Sequence, residues 1–415
     1  MESLPDAIMQ TILSQLSNAR DLAACNCVSK RWKDSLPYIT SLYFPRNLFD
    51  ENSSILSPDS LILKMISTVI HLETLVVYTP FSSEGLSSWL LQTSHSLKHL
   101  ELRVDNLYEV QISSKADCIG SATTLHSLKL WGVQLLAPPK WTLFTKLTTL
   151  QIVGARTVDS AISEALKACP NLRKLTLIGV EGINSLQITL PLLEIFKLDF
   201  NGNGYSVLNL NSPVIEALDV QGCRWVSVQS TNLLKTLSIS NNAGRVCVID
   251  VAKLHSLETL SMRGVQWSWE AINKMLKLSY NVTNLYMKIE FTGDQNDLQP
   301  FPEVDVAEFF NSHPKLRKCD LHGAMFAALC QKNSLKNIEG VFSIPSLESL
   351  VVTIRSPLNA EQKISTLESL LKYGKKLKAF TIRILQMKSN HCSADEFFDE
   401  VCKLRRTHHK IVKIE

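Results

Sequence analysis

The chain has 415 residues, of which 45% are apolar, 43 basic and 39 acidic, for a net charge of +4. A balance this mixed argues against a general nucleic-acid binder, which carries a strong basic excess, and no apolar run reaches the roughly 20 residues needed to span a membrane. The ten cysteines are scattered, with no CxxC pair and no cysteine–histidine cluster of zinc spacing, so no metal is expected and the thiols read as reduced core residues. The opening MESLPDAI has neither the basic start nor the apolar core of a secretory signal.

The first predicted element is a helix in LPDAIMQTILSQL, from Leu4. Pro5 suits the first helical position, where its missing N–H is not needed, and Asp6 complements the helix dipole. Ile8, Ile12 and Leu16 then recur at i, i+4 and i+8 as one apolar stripe. Asn18 and Asp21 mark a break and a second short helix with Leu22, Cys25 and Val28 as its apolar positions. Ser29 suits the cap of a third helix carrying Lys30, Arg31, Trp32 and Leu36. Three helices of this size bury too little surface to stand alone, so the unit is expected to dock on a partner or a neighbour.

This stretch resembles the F-box family in Leu4-Pro5, Ile8, Ile12-Leu13, Leu16, Asp21-Leu22 and the ending Val28-Ser29-Lys30-Arg31-Trp32. Ala7 departs from the pattern, where the family often carries Glu. The resemblance implies that residues 1–45 bind a Skp-family adaptor and, through it, a cullin–RING complex. Leu4, Pro5, Ile8, Ile12, Leu16, Val28 and Trp32 would be the apolar adaptor contacts. On the residues alone, Ile12, Leu16 and Val28 serve equally well as the internal core of the three helices.

After a degenerate strand at ITSLYF from Ile39, and a linker with a first return segment over 46–71, one hexapeptide of the form L-x-x-L-x-L recurs. It reads LETLVV from Leu72, LKHLEL from Leu97, LHSLKL from Leu125, LTTLQI from Leu147, LRKLTL from Leu172, LEIFKL from Leu193 and IEALDV from Ile215. It continues as LKTLSI from Leu234, LETLSM from Leu257, VTNLYM from Val282, LRKCDL from Leu316, LESLVV from Leu347 and LKAFTI from Leu377. Starts spaced by 19 to 34 residues mean a leucine-rich solenoid over 72–388, about thirteen units.

The last three positions of each hexapeptide read as a short strand, stacked in parallel with its neighbours on the concave side. Longer spacings leave room for return helices at Ser83–Thr93, Val158–Ala168, Ser268–Leu278, Val304–Asn311 and Glu361–Lys372. Between about 172 and 257 a second apolar alternation predicts strand–turn–strand coils instead. A closing helix and strand over 389–415 form a C-terminal cap. The fold class is an α/β solenoid: a three-helix N-terminal unit, then a curved leucine-rich-repeat array with a parallel concave sheet and mixed helical and strand return segments. The whole chain resembles the plant-type F-box/LRR-repeat protein family.

Residues flanking the second Leu of each hexapeptide, and the one following its last apolar position, face outward on the concave sheet. Aromatic and Arg side chains are enriched among interface hot spots, which selects Tyr78, Arg103, Trp131, Arg263, Tyr286, Lys288, His322 and Arg383 as candidate substrate contacts. Trp267 and Trp269 read as packing residues, and the polar insertion from Phe291 reads as a loop or a lid. No cofactor is expected. The inositol phosphate held by some plant relatives needs a tight Lys/Arg cluster, whereas Arg103, Lys129, Lys174, Lys197, Arg263 and Lys288 fall one per repeat.

No GxGxxG, P-loop, G-x-S-x-G or HExxH is present, so no catalytic residue is named and the chain reads as a non-enzyme. The resemblance implies a substrate receptor of a Skp–cullin–F-box ubiquitin ligase, nuclear and/or cytoplasmic, that holds an unknown target protein on its concave face. The alternative is a leucine-rich-repeat scaffold or small-ligand sensor whose N-terminal helices are only a cap. A cap buries Leu4, Pro5 and Trp32 against the first repeat; an adaptor-binding unit leaves them exposed.

Overall fold

The computed structural model describes residues 5–47, 57–104, 115–202, 204–291, 302–337, 342–356, 358–385 and 392–415. Leu4 and the insertion over 292–301 lie outside them. The chain forms two compact units, Met1–Asn201 and Gly202–Glu415.

The first unit begins with three helices, α1 (Asp6–Ser14), α2 (Ala19–Asn26) and α3 (Lys30–Ser35). Pro5 is the residue before α1 rather than its first helical position: its ψ of 148° is extended, and its carbonyl accepts from Ile8 N at 3.0 Å. The Asn18 side chain accepts from Arg20 N and caps α2, and Ser29 accepts from Trp32 N and caps α3. Arg31 pairs with Asp6 at 2.7 Å and ties α3 to α1.

Seven parallel strands follow in this unit: Ser41–Phe44, Thr74–Val77, His99–Arg103, Ser127–Trp131, Thr149–Val153, Lys174–Val180 and Ile195–Phe200. The second unit's main sheet is likewise parallel: Ala217–Gln221, Thr236–Asn241, Thr259–Trp267, Asn284–Phe291, Lys318–His322, Ser349–Ile354, Ala379–Ile384 and Val412–Ile414. Within each unit the hexapeptide strands pair in register with the next, so the apolar fourth and sixth positions stack into one core. Leu75, Leu100, Leu128, Leu150 and Leu175 are each 2% exposed or less. Burial of a Leu side chain is worth about 1.5–3 kcal/mol, and no repeat achieves it without a neighbour. Among the described residues, neither unit's sheet closes on itself.

The return segments follow the spacing. Helices at Ser83–Thr93, Asp159–Lys167, Trp269–Leu278, Val306–Ser312 and Ala360–Tyr373 lie within two residues of the expected bounds. Three more were not among the expected helices: α4 (Pro58–Thr68), in the span assigned to a linker and first return segment, Lys115–Ile119, and Gly323–Gln331. In the short-spacing region the return segments are strands, Ser185–Thr189 in the first unit and Ser206–Asn211, Cys223–Val228 and Val248–Val251 in the second. The C-terminal helix is Cys392–Thr407, followed by Val412–Ile414. No helix among the described residues is long and apolar enough to cross a membrane.

Two devices lock repeat to repeat. First-turn acids accept backbone N–H groups from the next return segment: Asp59 from Ser82, Asp117 from Lys140 at 3.0 Å, and Asp159 from Asn184 at 2.8 Å. At several repeats the second hexapeptide position pairs opposite charges with its neighbour. Glu73 meets Lys98 at 2.5 Å and Arg173 meets Glu194 in the first unit. Glu216 meets Lys235 at 2.9 Å in the second, where Glu348 takes both Arg317 at 2.5 Å and Lys378 at 2.8 Å.

Candidate functional site

Three surfaces carry the candidate residues. The first is the outer side of the N-terminal helices. Met9 and Leu13 are the buried residues of α1, and Ala19 and Leu22 those of α2. Of the expected stripe, Ile8 is 47% exposed and Ile12 45%, while Val28, expected on the second helix, lies in the turn after α2 and is 61% exposed. The core reading of Ile12 and Val28 is therefore corrected: the interior is filled by Met9, Leu13 and Leu22. Pro5 is exposed, Leu16 and Trp32 are half-buried, and Leu4 lies outside the described residues. An apolar groove of about 420 Å³ between α2 and α4 is lined by Leu22, Leu36, Leu42, Phe44, Leu61 and Met65, and by none of Ile8, Ile12 or Val28. The helices thus meet the first repeat through one face and present a second apolar face to solvent.

The second surface is the outward side of the first unit's sheet, where Tyr78, Arg103 and Trp131 come together. The Tyr78 hydroxyl donates to Glu101, Trp131 Nε1 donates to Glu101 Oε1 at 2.8 Å, and Lys129 Nζ lies 3.1 Å from the same oxygen. Lys129 stands 4.6 Å from the centre of the Trp131 ring, a cation–π contact. Arg103 is opposite Trp131 in register, and Tyr43 packs edge-on against Tyr78 at 5.5 Å. Burial alone would raise the Glu101 pKa, but the hydrogen bonds from Tyr78, Trp131 and Lys129 outweigh it and hold the carboxyl below its usual value. Burial and Glu101 together push the Tyr78 phenol up to about 12.

The third surface is the outward side of the second unit's sheet. Arg263 is opposite Lys288, Tyr286 lies between Ser261 and Asp320, and His322, Thr353 and Arg383 stand in one cross-strand row. Arg355 pairs with Glu290 at 2.5 Å, and Arg383 Nε donates to Glu415 at 2.9 Å. Burial, then Arg355, Lys288 and Arg383, lower the His322 pKa to about 4, so the ring is neutral at pH 7. Burial raises the Asp320 carboxyl above the usual aspartate value. Gly323 has φ +39°, and a Cβ there would sit 2.9 Å from Glu290 Oε1, so the turn from strand to helix beside this cluster requires glycine.

Sequence reasoning on aromatic and Arg residues missed Tyr43, Glu101, Asp320, Thr353 and Arg355 as members of these clusters. All but Arg355 are legible as outward-facing strand positions from the two-residue period, whereas Arg355 lies one residue past its strand. Trp267 is buried, its Nε1 donating to Arg263 O at 3.0 Å.

Comparison with known proteins identifies the N-terminal segment and the family. The F-box-like family model matches residues 1–43. The Arabidopsis thaliana F-box/LRR-repeat protein At1g67190 is 21% identical over 361 residues, 81% of this chain and 83% of that protein. The Arabidopsis thaliana F-box protein At1g10780 is 56% identical over 419 residues, 100% of both chains. A match of that identity along the full length, led by the F-box-like segment, shows that the chain belongs to the F-box protein family.

Proposed function

We propose that this protein is the substrate-recognition subunit of a Skp–cullin–F-box ubiquitin ligase, acting in the nucleus and/or cytoplasm. F-box proteins in general serve such complexes as receptors rather than as catalysts. In this reading Pro5, Ile8, Ile12, Leu16, Val28 and Trp32 bind the Skp-family adaptor, with Leu4 beside them in sequence. The outward sheet faces hold the target protein near a ubiquitin-charged enzyme on the same scaffold. The contribution is proximity: holding two reactants together makes a bimolecular step effectively unimolecular.

The observation that carries the reading is the exposure of Ile8 and Ile12 on α1 and of Val28 in the turn after α2, in a unit that already has its own core in Met9, Leu13 and Leu22. Exposed apolar surface costs about 25 cal/mol per Å² relative to burial, and a contiguous patch of it marks a partner surface. A mere cap has no use for a second apolar face.

The test is co-purification of the full chain with a Skp-family adaptor, wild type beside an Ile8→Ala/Ile12→Ala/Val28→Ala variant. The variant is expected to lose at least about ten-fold in capture, the scale of a hot-spot cluster, with its melting temperature unchanged. Folded wild type that captures no adaptor would instead favour a scaffold with a helical cap.

A further inference from the structure

The apolar groove between α2 and α4, all of it within the first unit, is open to solvent and unused by the adaptor face. Leu42 and Phe44 of the first strand form its floor. Leu36, Leu61, Met65 and Val69 along its walls are only half-buried, so a ligand can reach them. On the α2 side stand Ala19 and Ala23, whose small side chains leave the space unfilled. The volume of about 420 Å³ falls within the ~300–1,000 Å³ of small-ligand sites, and like them the groove is mostly apolar with a few polar groups. Apolar surface held open in this way is covered at a gain in free energy.

The charge at the rim says what covers it. Arg20 on α2 and Lys64 on α4 both line the groove and both are exposed. Neither forms an ion pair with a described residue. No Asp or Glu is among the lining residues, and the other polar side chains there are Asn26 and Thr68. An apolar floor beneath two unpaired cations complements a molecule with an apolar body and an anionic head. A cationic ligand is repelled by both rims, and a neutral one leaves them unmatched. The size selects a small molecule: a space of this volume takes one whole, whereas a stable protein partner needs about 1,200 Å² of buried surface or more.

We propose that this groove binds a single-chain anionic amphiphile, of which a fatty-acid carboxylate is the simplest. The tail lies on Leu42, Phe44, Leu61 and Met65, and the head group accepts from Arg20 and Lys64. Because α2 belongs to the N-terminal helices and α4 precedes the second strand of the array, the ligand ties the helical unit to the first repeat. The assignment stands apart from the adaptor reading, since none of Ile8, Ile12 or Val28 lines the groove.

Full-length protein is titrated calorimetrically with dodecanoate, dodecyl phosphate and dodecylammonium, each below the concentration at which it forms micelles. One anion per chain is expected to bind, at least about ten-fold tighter than dodecylammonium, and the tighter of the two anions names the head group. Shortening dodecanoate to decanoate is expected to weaken binding about ten-fold, the scale of two methylenes withdrawn from an apolar site. Arg20→Glu/Lys64→Glu is expected to reverse the preference between anion and cation. Ala23→Phe, at an exposed position, is expected to fill the groove and abolish binding without lowering the melting temperature. Ile8→Ala/Ile12→Ala/Val28→Ala should bind the anion as wild type does. Equal binding of dodecanoate and dodecylammonium, several molecules per chain rather than one, or unaltered binding by Ala23→Phe overturns the assignment. A wild type that ignores both anions, beside an Ala23→Phe variant that loses adaptor capture, gives the groove to the adaptor and overturns it too. If the wild type binds dodecanoate as described but captures no adaptor, the ligase reading falls and the groove stands.

Discussion

Glu101 is the residue on which the first unit's outward cluster turns. One carboxylate, 22% exposed at its side chain, accepts from Tyr78 and Trp131 and pairs with Lys129. Replacing it with Ala leaves a phenol and an indole N–H without their acceptor, at about 1–3 kcal/mol for the group that stays dry. Glu101→Ala is therefore expected to lower stability by about 2 kcal/mol in urea denaturation, and Glu101→Gln by less, since its amide oxygen still accepts. The pH dependence has a definite sign. The folded-state pKa of Glu101 is held below that of the unfolded chain, so its stabilisation is present above the unfolded value and is lost as pH falls through the folded one. Wild type and Glu101→Ala should converge in stability under acid; a gap that persists there would contradict the account.

At the scale of elements, α1 shows what periodicity conveys and what it omits. Ile8 and Ile12 share one stripe, Met9 and Leu13 another, and both obey the helical period. The sequence pattern thus predicts the helix but not which stripe is inside, because that is decided by α3 and the Leu36–Tyr38 turn packing against it. The two stripes are separable by experiment: Leu13→Ala, at a site 0% exposed, is expected to cost about 2–5 kcal/mol. Ile12→Ala at 45% exposure should change stability by no more than about 0.5 kcal/mol. Calorimetry on the two variants reads the difference directly. Helix α4 carried its own start signal in Ser57-Pro58-Asp59, with Ser57 accepting from Ser60 N, but only Ile62 and Ile66 of it are buried, too few for a clear stripe. Gly323–Gln331 begins immediately after its strand with no side-chain cap, so the strand passes into the helix at a glycine with no loop between them. Of the second unit's outward cluster, His322, Lys288 and Arg383 were legible by residue type; Asp320 and Thr353 become distinctive only when burial strips them of partners.

At the scale of the molecule, the repeats were legible because one hexapeptide encodes both a strand and its inward face, and the return helices because spacing alone sets the room available. The near balance of 43 basic and 39 acidic residues has a structural counterpart in the opposite-charge pairs at the second hexapeptide position. Each exposed pair contributes little by itself, but reversing a shared member creates repulsion on both sides. Glu348→Lys sets a new cation between Arg317 and Lys378, the two that Glu348 now pairs with. The variant is expected to melt at a lower temperature, with partial recovery in about 0.5 M salt as the charges are screened. A core defect of similar size would show no such recovery.

These pairs also bear on how an array of this kind keeps its length. Repeats with interchangeable cores invite loss or duplication by unequal recombination, since any two strands could pair. Excising the repeat that carries Glu348 would set Arg317 beside Lys378, and duplicating it would set Glu beside Glu. Around Glu348 the charge order thus disfavours the loss or duplication of that repeat, independently of the leucines that make the core.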